Sequence, residues 1–258
     1  MTSLEAFRIA GLPPDFFYIP NFVSVEEEAS ILGKIPAQRW THLTHRRLQA
    51  HPSTLTKNNV LLAAPLPGYL TNPVIERFKD LGIFDETPHR QPNHVLINEY
   101  RPGEGIMPHE DGGAYAPVVA TVSLGGALCL HISPKPDESD DDRNRKSEAA
   151  KLESGQINQD ESSRAEYEIP CRIYQEPRSL FITTGDAYRQ LLHGIASIEV
   201  DDNLNAQTVA NWSLLAEPRV IEEAGGRNIR STRISLTYRD VLKVSSAANK
   251  VFGGLQKR

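Results

Sequence analysis

Cysteine is nearly absent from this 258-residue chain: Cys129 and Cys171 are the only two. Two cysteines cannot make a disulfide framework, and both fall in apolar, strand-like stretches, which predicts buried free thiols in a reducing compartment. Long apolar runs are lacking as well. None approaches the roughly 20 residues that a bilayer-spanning helix needs, and residues 1–8 have no charged-then-apolar layout of a secretory signal. Nor is there a surplus of positive charge. Lys and Arg number 28 against 33 Asp and Glu, giving a net charge of −5 and a pI near 5.9. That balance excludes broad, charge-driven attachment to nucleic acid or anionic membrane but leaves room for a local basic groove. Internal repeats are missing too. The expectation is a soluble protein of the cytoplasm and nucleus with no membrane partner.

What is present is organised around short strands. The segment 16–22 reads as a strand closed by a turn. Ser24 then caps a helix whose first turn carries Glu26, Glu27 and Glu28, with Ile31, Leu32 and Ile35 on its apolar side. Pro65 and Pro67 mark loops, and Asn72-Pro73 opens a second helix through about Leu81. From His94 the pattern changes to period two: His94, Leu96, Asn98 and Tyr100 alternate with Val95, Ile97 and Glu99 until Pro102-Gly103. Further strands are expected over 118–124, 128–132, 169–174 and 180–183. Short strands between Gly and Pro turns suggest a sandwich or jelly roll. Residues 134–168 are acidic and polar with almost no large apolar side chain, so they read as a disordered surface insertion. Ser139 lies among its acids, and the stretch is either a tolerated loop or a contact for protein partners. A second insertion is expected at about 199–231.

The chemistry-bearing residues cluster in type. His109 and Asp111 lie two apart, a spacing that on extended backbone aims both at one point and turns Glu110 away. With the isolated His193 they make two histidines and one carboxylate, the ligand set that leaves iron(II) with open coordination positions. A later strand, 233–239, places Arg233, Ser235, Thr237 and Arg239 on one side and Ile234, Leu236 and Tyr238 on the other. Its two arginines are candidate anchors for a dicarboxylate co-substrate. Arg39, His42, His45, Arg46, Arg47, His51 and Lys57 form a locally basic stretch beside Trp40, either a solvated face or part of a substrate surface. His131 is expected to be a core or rim histidine rather than a ligand. His94 shares a face with Asn98 and Tyr100 and either borders the pocket or does not.

The run 98–112, from Asn98-Glu-Tyr100-Arg-Pro-Gly103 to His109-Glu-Asp111-Gly112, resembles the AlkB family of iron(II)- and 2-oxoglutarate-dependent dioxygenases, and within it the homologue-six subfamily. Arg46-Arg47-Leu48-Gln49 and the segment 187–195 around His193 add to the likeness, which covers most of the chain outside the acidic insertion. The resemblance implies a mainly β fold with flanking helices: a double-stranded β-helix (jelly-roll) core over 91–242 with an N-terminal α/β extension and substrate lid over 1–90, in one domain. It implies His109, Asp111 and His193 as iron ligands. Arg233 would hold the distal carboxylate of 2-oxoglutarate with Tyr100 and Ser235, while Asn98 and Arg239 would hold the carboxylate beside the metal. Arg239 would also orient Asp111. The family pattern Arg-x-Asn-x-Thr-x-Arg is met except at Ser235, where the family has Asn. The implied reaction consumes 2-oxoglutarate and O2 and removes N-methyl groups from alkylated DNA or RNA bases as formaldehyde. Arg46, Arg47, Gln49 and His94 are the candidate substrate residues. The acidic balance leaves a protein side-chain oxygenase, or a catalytically quiet binding module, as alternatives.

Overall fold

The computed structural model describes residues 3–135 and 169–245. Most of the acidic stretch expected to be an insertion, with Ser139, therefore lies outside the described residues. In chain order the first strands are β1 (Phe16–Ile19), β2 (Thr41–Leu43), β3 (Arg46–His51), β4 (Val60–Leu62) and β5 (His94–Tyr100). Then come β6 (Ile106–His109), β7 (Tyr115–Gly125), β8 (Leu128–Pro134), β9 (Cys171–Gln175) and β10 (Leu180–Thr184). The last are β11 (Leu191–Ile195), β12 (Val200–Asp201), β13 (Asn228–Ile229), β14 (Arg233–Val241) and β15 (Lys243–Ser245). The helices are short: α1 (Val25–Lys34), α2 (Gly68–Thr71), α3 (Val74–Asp80), α4 (Gly185–Gln190) and α5 (Pro218–Glu223).

Two sheets carry the architecture, a seven-stranded one in the order β1-β10-β7-β14-β5-β3-β2 and a four-stranded one in the order β6-β11-β8-β9. The first 90 residues are not appended to this body. Their strand β1 pairs with β10 and β3 pairs with β5, so they complete the larger sheet.

The larger sheet is covered on one side by helices. Val95, Ile97, Leu236 and Tyr238 pack there with Phe22, Ile31, Leu70, Val74 and Phe78. Helix α1 is placed by its cap: Ser24 Oγ accepts from the Glu27 N–H at 3.2 Å, and Glu27 reciprocates to the Ser24 N–H at 2.7 Å. Such a reciprocal cap stabilises a helix start by about 1 kcal/mol. The helix expected to open at Asn72-Pro73 is α3, capped by Pro73 and ending at Leu81, and a further single turn, α2, precedes it.

On the other side the two sheets face each other. Phe16, Tyr18, Tyr100, Leu128, Leu130, Ile132, Ile173 and Phe181 fill a second core. The segment 199–231 folds against the smaller sheet rather than looping away. Leu204, Val209, Leu215 and Ile221 join that second core, and Arg230 makes a buried ion pair with Asp201 at 2.6 Å. Cys129 is buried as expected, whereas Cys171, next to Pro170 at a strand start, is only half-buried.

Candidate metal centre

The strand that dominates the site is β14. It lies between β7 and β5 in the middle of the larger sheet, so both of its edges are paired. Strand alternation sends Leu236 and Tyr238 to the helical side and leaves Arg233, Ser235, Thr237 and Arg239 between the sheets, all buried. Register then fixes their neighbours: Arg233 opposes Tyr100, Ser235 opposes Asn98, and Arg239 opposes His94.

Across the gap, β6 and β11 run antiparallel with His109 directly opposite His193. Their rings lie 4.4 Å apart between centroids. The close approach depends on Gly194, where a Cβ would come within 2.9 Å of the Pro108 backbone nitrogen. Asp111 follows His109 by two residues. One ligand atom from each of His109, Asp111 and His193 lies within 4.8 Å of the others, the one such cluster among the described residues.

Proton positions suit metal binding. His109 Nδ1 is 2.9 Å from the Met107 carbonyl. A carbonyl only accepts, so Nδ1 carries the proton and Nε2 keeps its lone pair. Burial pushes His193 down to about 4, so its ring is neutral near pH 7. Burial by itself would raise the Asp111 pKa. The Arg239 guanidinium, with His193 and His109 behind it, outweighs that and holds the carboxyl below its usual range. Arg239 is ion-paired to Asp111 Oδ1 and rests 4.9 Å over the Tyr115 ring.

Arg233 presents the opposite situation. Its guanidinium bonds Ser123 Oγ at 2.8 Å and Gln175 Oε1, but it has no carboxylate partner among the described residues. Burial pushes it down to about 10, which leaves it charged. An uncompensated buried cation costs several kcal/mol. Arg233 Nε is a further buried donor without a partner. Two buried guanidiniums on one strand face, one of them beside three metal-type ligands, match a small dicarboxylate that also reaches a metal. The donor set therefore fits iron(II) with 2-oxoglutarate, and Ser235 at the expected Asn position keeps a hydroxyl on the same face.

The substrate residues read from the sequence do not come together. Arg46 lines a cavity of about 1380 Å³ with Leu43, Met107, His109 and His131. Arg47 and Gln49 do not, because alternation turns them to the opposite side of β3. Arg47 pairs with Glu99 at 2.6 Å and stacks on Trp40 at 4.4 Å. Gln49 is buried and donates to the Pro36 carbonyl at 2.8 Å. His51 is also buried, pushed down to about 4 first by burial and then by Arg39, so the basic stretch is not one continuous face. His94 lies beneath Arg239 at the metal end, 3% exposed. His131 lines the cavity and stands outside the ligand cluster.

Sequence reasoning missed Ser123 and Gln175, the acceptors for Arg233. They sit on β7 and β9, strands of different sheets whose approach nothing local announces. It also missed Tyr188, whose hydroxyl donates to the Gly112 carbonyl at 3.0 Å and fixes the turn after Asp111.

Comparison with known proteins agrees with this geometry. Residues 15–239 match the 2OG-Fe(II) oxygenase superfamily. The chain is 33% identical over 250 residues to the "Probable RNA/DNA demethylase ALKBH6" of Danio rerio, covering 96% of this chain and 94% of that protein. It is 27% identical to the Xenopus tropicalis "tRNA (carboxymethyluridine(34)-5-O)-methyltransferase alkbh8", covering 90% of this chain but 32% of that protein. The solved structure of OsALKBH1 overlays with a TM-score of 0.48 at 14% identity, over 89% of this chain and 99% of that one. The co-reactants of the matched superfamily are iron(II), 2-oxoglutarate and O2. Sequence match and donor set together place this chain in the 2OG-Fe(II) oxygenase superfamily, as an AlkB-like dioxygenase.

Proposed function

We propose that this enzyme oxidatively removes N-methyl groups from alkylated bases of DNA or RNA, releasing formaldehyde and succinate. The observation that carries the reading is the cavity of about 1380 Å³ onto which His109 opens. It exceeds the roughly 300–1,000 Å³ of small-molecule pockets, a size that suits a base still attached to a polymer. The name of the Danio rerio relative supports the same substrate class.

In this reading His109 Nε2, His193 and Asp111 hold iron, and Arg239 keeps Asp111 ionised. Arg233, braced by Ser123 and Gln175, receives the distal carboxylate of 2-oxoglutarate, with Tyr100 and Ser235 as hydrogen-bonding neighbours. Burial raises the Tyr100 pKa, so its hydroxyl stays protonated and can donate. Asn98 and Arg239 would hold the other carboxylate. When bound, iron(II) and 2-oxoglutarate would supply the oxidising chemistry that removal of the methyl group needs. Arg46 meets the substrate at the cavity mouth. Residues 1–258 work as one oxygenase domain of the cytoplasm and nucleus, with 91–242 as its core and the β2–β3 hairpin as the substrate-side edge of the N-terminal 90 residues.

The test is product analysis with a panel of methylated oligonucleotides, iron(II) and 2-oxoglutarate. Substrate-dependent formaldehyde, abolished in the His109→Ala/Asp111→Ala double variant, is the expected result. Formaldehyde release from methylated peptides but from no oligonucleotide would move the assignment to a protein substrate.

A further inference from the structure

His94 is buried beside the metal centre, yet it is neither a ligand nor a wall of the cavity. Its Nε2 lies 3.2 Å from the Ser53 carbonyl. Because a carbonyl only accepts, Nε2 carries the ring proton and Nδ1 is left as a bare acceptor. That Nδ1 is buried without a partner. Burial and the Arg239 charge push the ring down to about 4, in keeping with a neutral imidazole.

Directly opposite on the neighbouring strand is Arg239. Its Nε–H is a buried donor, also without a partner, while its terminal nitrogen is committed to Asp111. Tyr115 holds the two side chains together. The Arg239 guanidinium lies 4.9 Å from that ring and the His94 ring 6.1 Å from it, both by centroid. A lone acceptor and a lone donor thus belong to directly paired residues of adjacent strands, and each is costly to leave unmet.

We propose that His94 is a positioning residue for the metal centre: its Nδ1 accepts from Arg239 Nε, directly or through one water, in a relay from the Ser53 carbonyl through His94 and Arg239 to Asp111. The relay fixes the guanidinium at both ends. Its terminal nitrogen then meets Asp111 at one angle, and the carboxylate is aimed at the metal rather than free to rotate. Groups that orient a ligand in this way alter metal affinity by about 10- to 100-fold. The inference rests on the metal centre proposed above.

The experiment compares wild type, His94→Leu and His94→Gln as apo proteins. Affinity for Mn(II) or Fe(II) is measured anaerobically by calorimetry, alongside the melting temperature. His94→Leu is expected to bind metal about 10- to 100-fold more weakly while melting close to wild type. His94→Gln, which retains an acceptor oxygen, is expected to recover most of the affinity. Wild-type metal affinity in His94→Leu overturns the relay, as does a loss that His94→Gln fails to restore. Should His94→Leu not fold, histidine 15N chemical shifts of the wild type decide. A neutral ring protonated at Nε2 upholds the relay, and one protonated at Nδ1 overturns it. A wild type that binds no divalent metal would instead sink the metal centre itself.

Discussion

Arg233 is a buried cation with no carboxylate partner among the described residues. Ser123 and Gln175 take two of its hydrogen bonds but no charge, so its stabilisation depends on a ligand carboxylate. Removing one brace tests this. Gln175→Leu should raise KM for 2-oxoglutarate about tenfold, since a buried donor left unmet costs about 1–3 kcal/mol. Arg233→Lys should raise it further, because a point charge cannot make the paired contact of a guanidinium. Initial rates against co-substrate concentration read both, and an unchanged KM in either would remove Arg233 from the co-substrate site. Arg46 and Arg47 are adjacent yet separable. Arg46→Ala should weaken binding of a methylated oligonucleotide and lower the salt slope of log K by about one, with KM for 2-oxoglutarate unchanged. Arg47→Ala should leave the slope alone. Equal slopes for wild type and Arg46→Ala would take Arg46 out of the substrate contact. The sequence showed the basic run but could not divide it, because the division is made by the pairing of β3 with β5, a non-local fact.

At the scale of elements, period-two alternation carried a great deal. Strands over 94–100 and 233–239 were readable because each has one apolar row and one polar row, and the polar rows proved to be the buried site faces. Central position in the sheet was not readable from them, since a polar row usually means solvent. The segment 199–231 was legible only as an interruption. Its apolar residues are too sparse for a period, and it is held by Asp201, which accepts from Arg230, Asn228 and the Cys129 N–H. Arg230 also donates to the Ala196 carbonyl at 2.7 Å, just past β11 and its His193. Breaking this buried pair by Arg230→Met should cost about 3–5 kcal/mol, and the Arg230→Met/Asp201→Leu double variant should regain much of it. Denaturant titration measures the difference. A single variant as stable as wild type would mean that the pair does not anchor the segment.

The whole molecule keeps three histidines uncharged, and this gives it a pH dependence whose sign can be worked out. His51, His94 and His193 are each pushed down to about 4, with burial the largest cause in every case. In the unfolded chain each titrates near 6.5. Between those values the unfolded chain binds protons that the folded protein refuses, so stability must fall as pH drops through that window. A depression of this size is worth up to about 3 kcal/mol per histidine by pH 4. Asp111 acts lower down. Its carboxyl is held below the ordinary value, so its contribution is intact above pH 4 and is lost only as pH falls further. A decline between pH 6.5 and 4 therefore belongs to the histidines and not to the ion pair. Melting temperatures of the apo protein from pH 7 to pH 4.5 should fall steadily. Replacing His51, which lies away from the metal centre, by Gln should flatten part of the curve. Saturating divalent metal should raise the whole curve and steepen its acid side, because protons then compete for His193 as well. A melting temperature that stays level from pH 7 to pH 4.5 would mean that these rings are not held neutral by the fold.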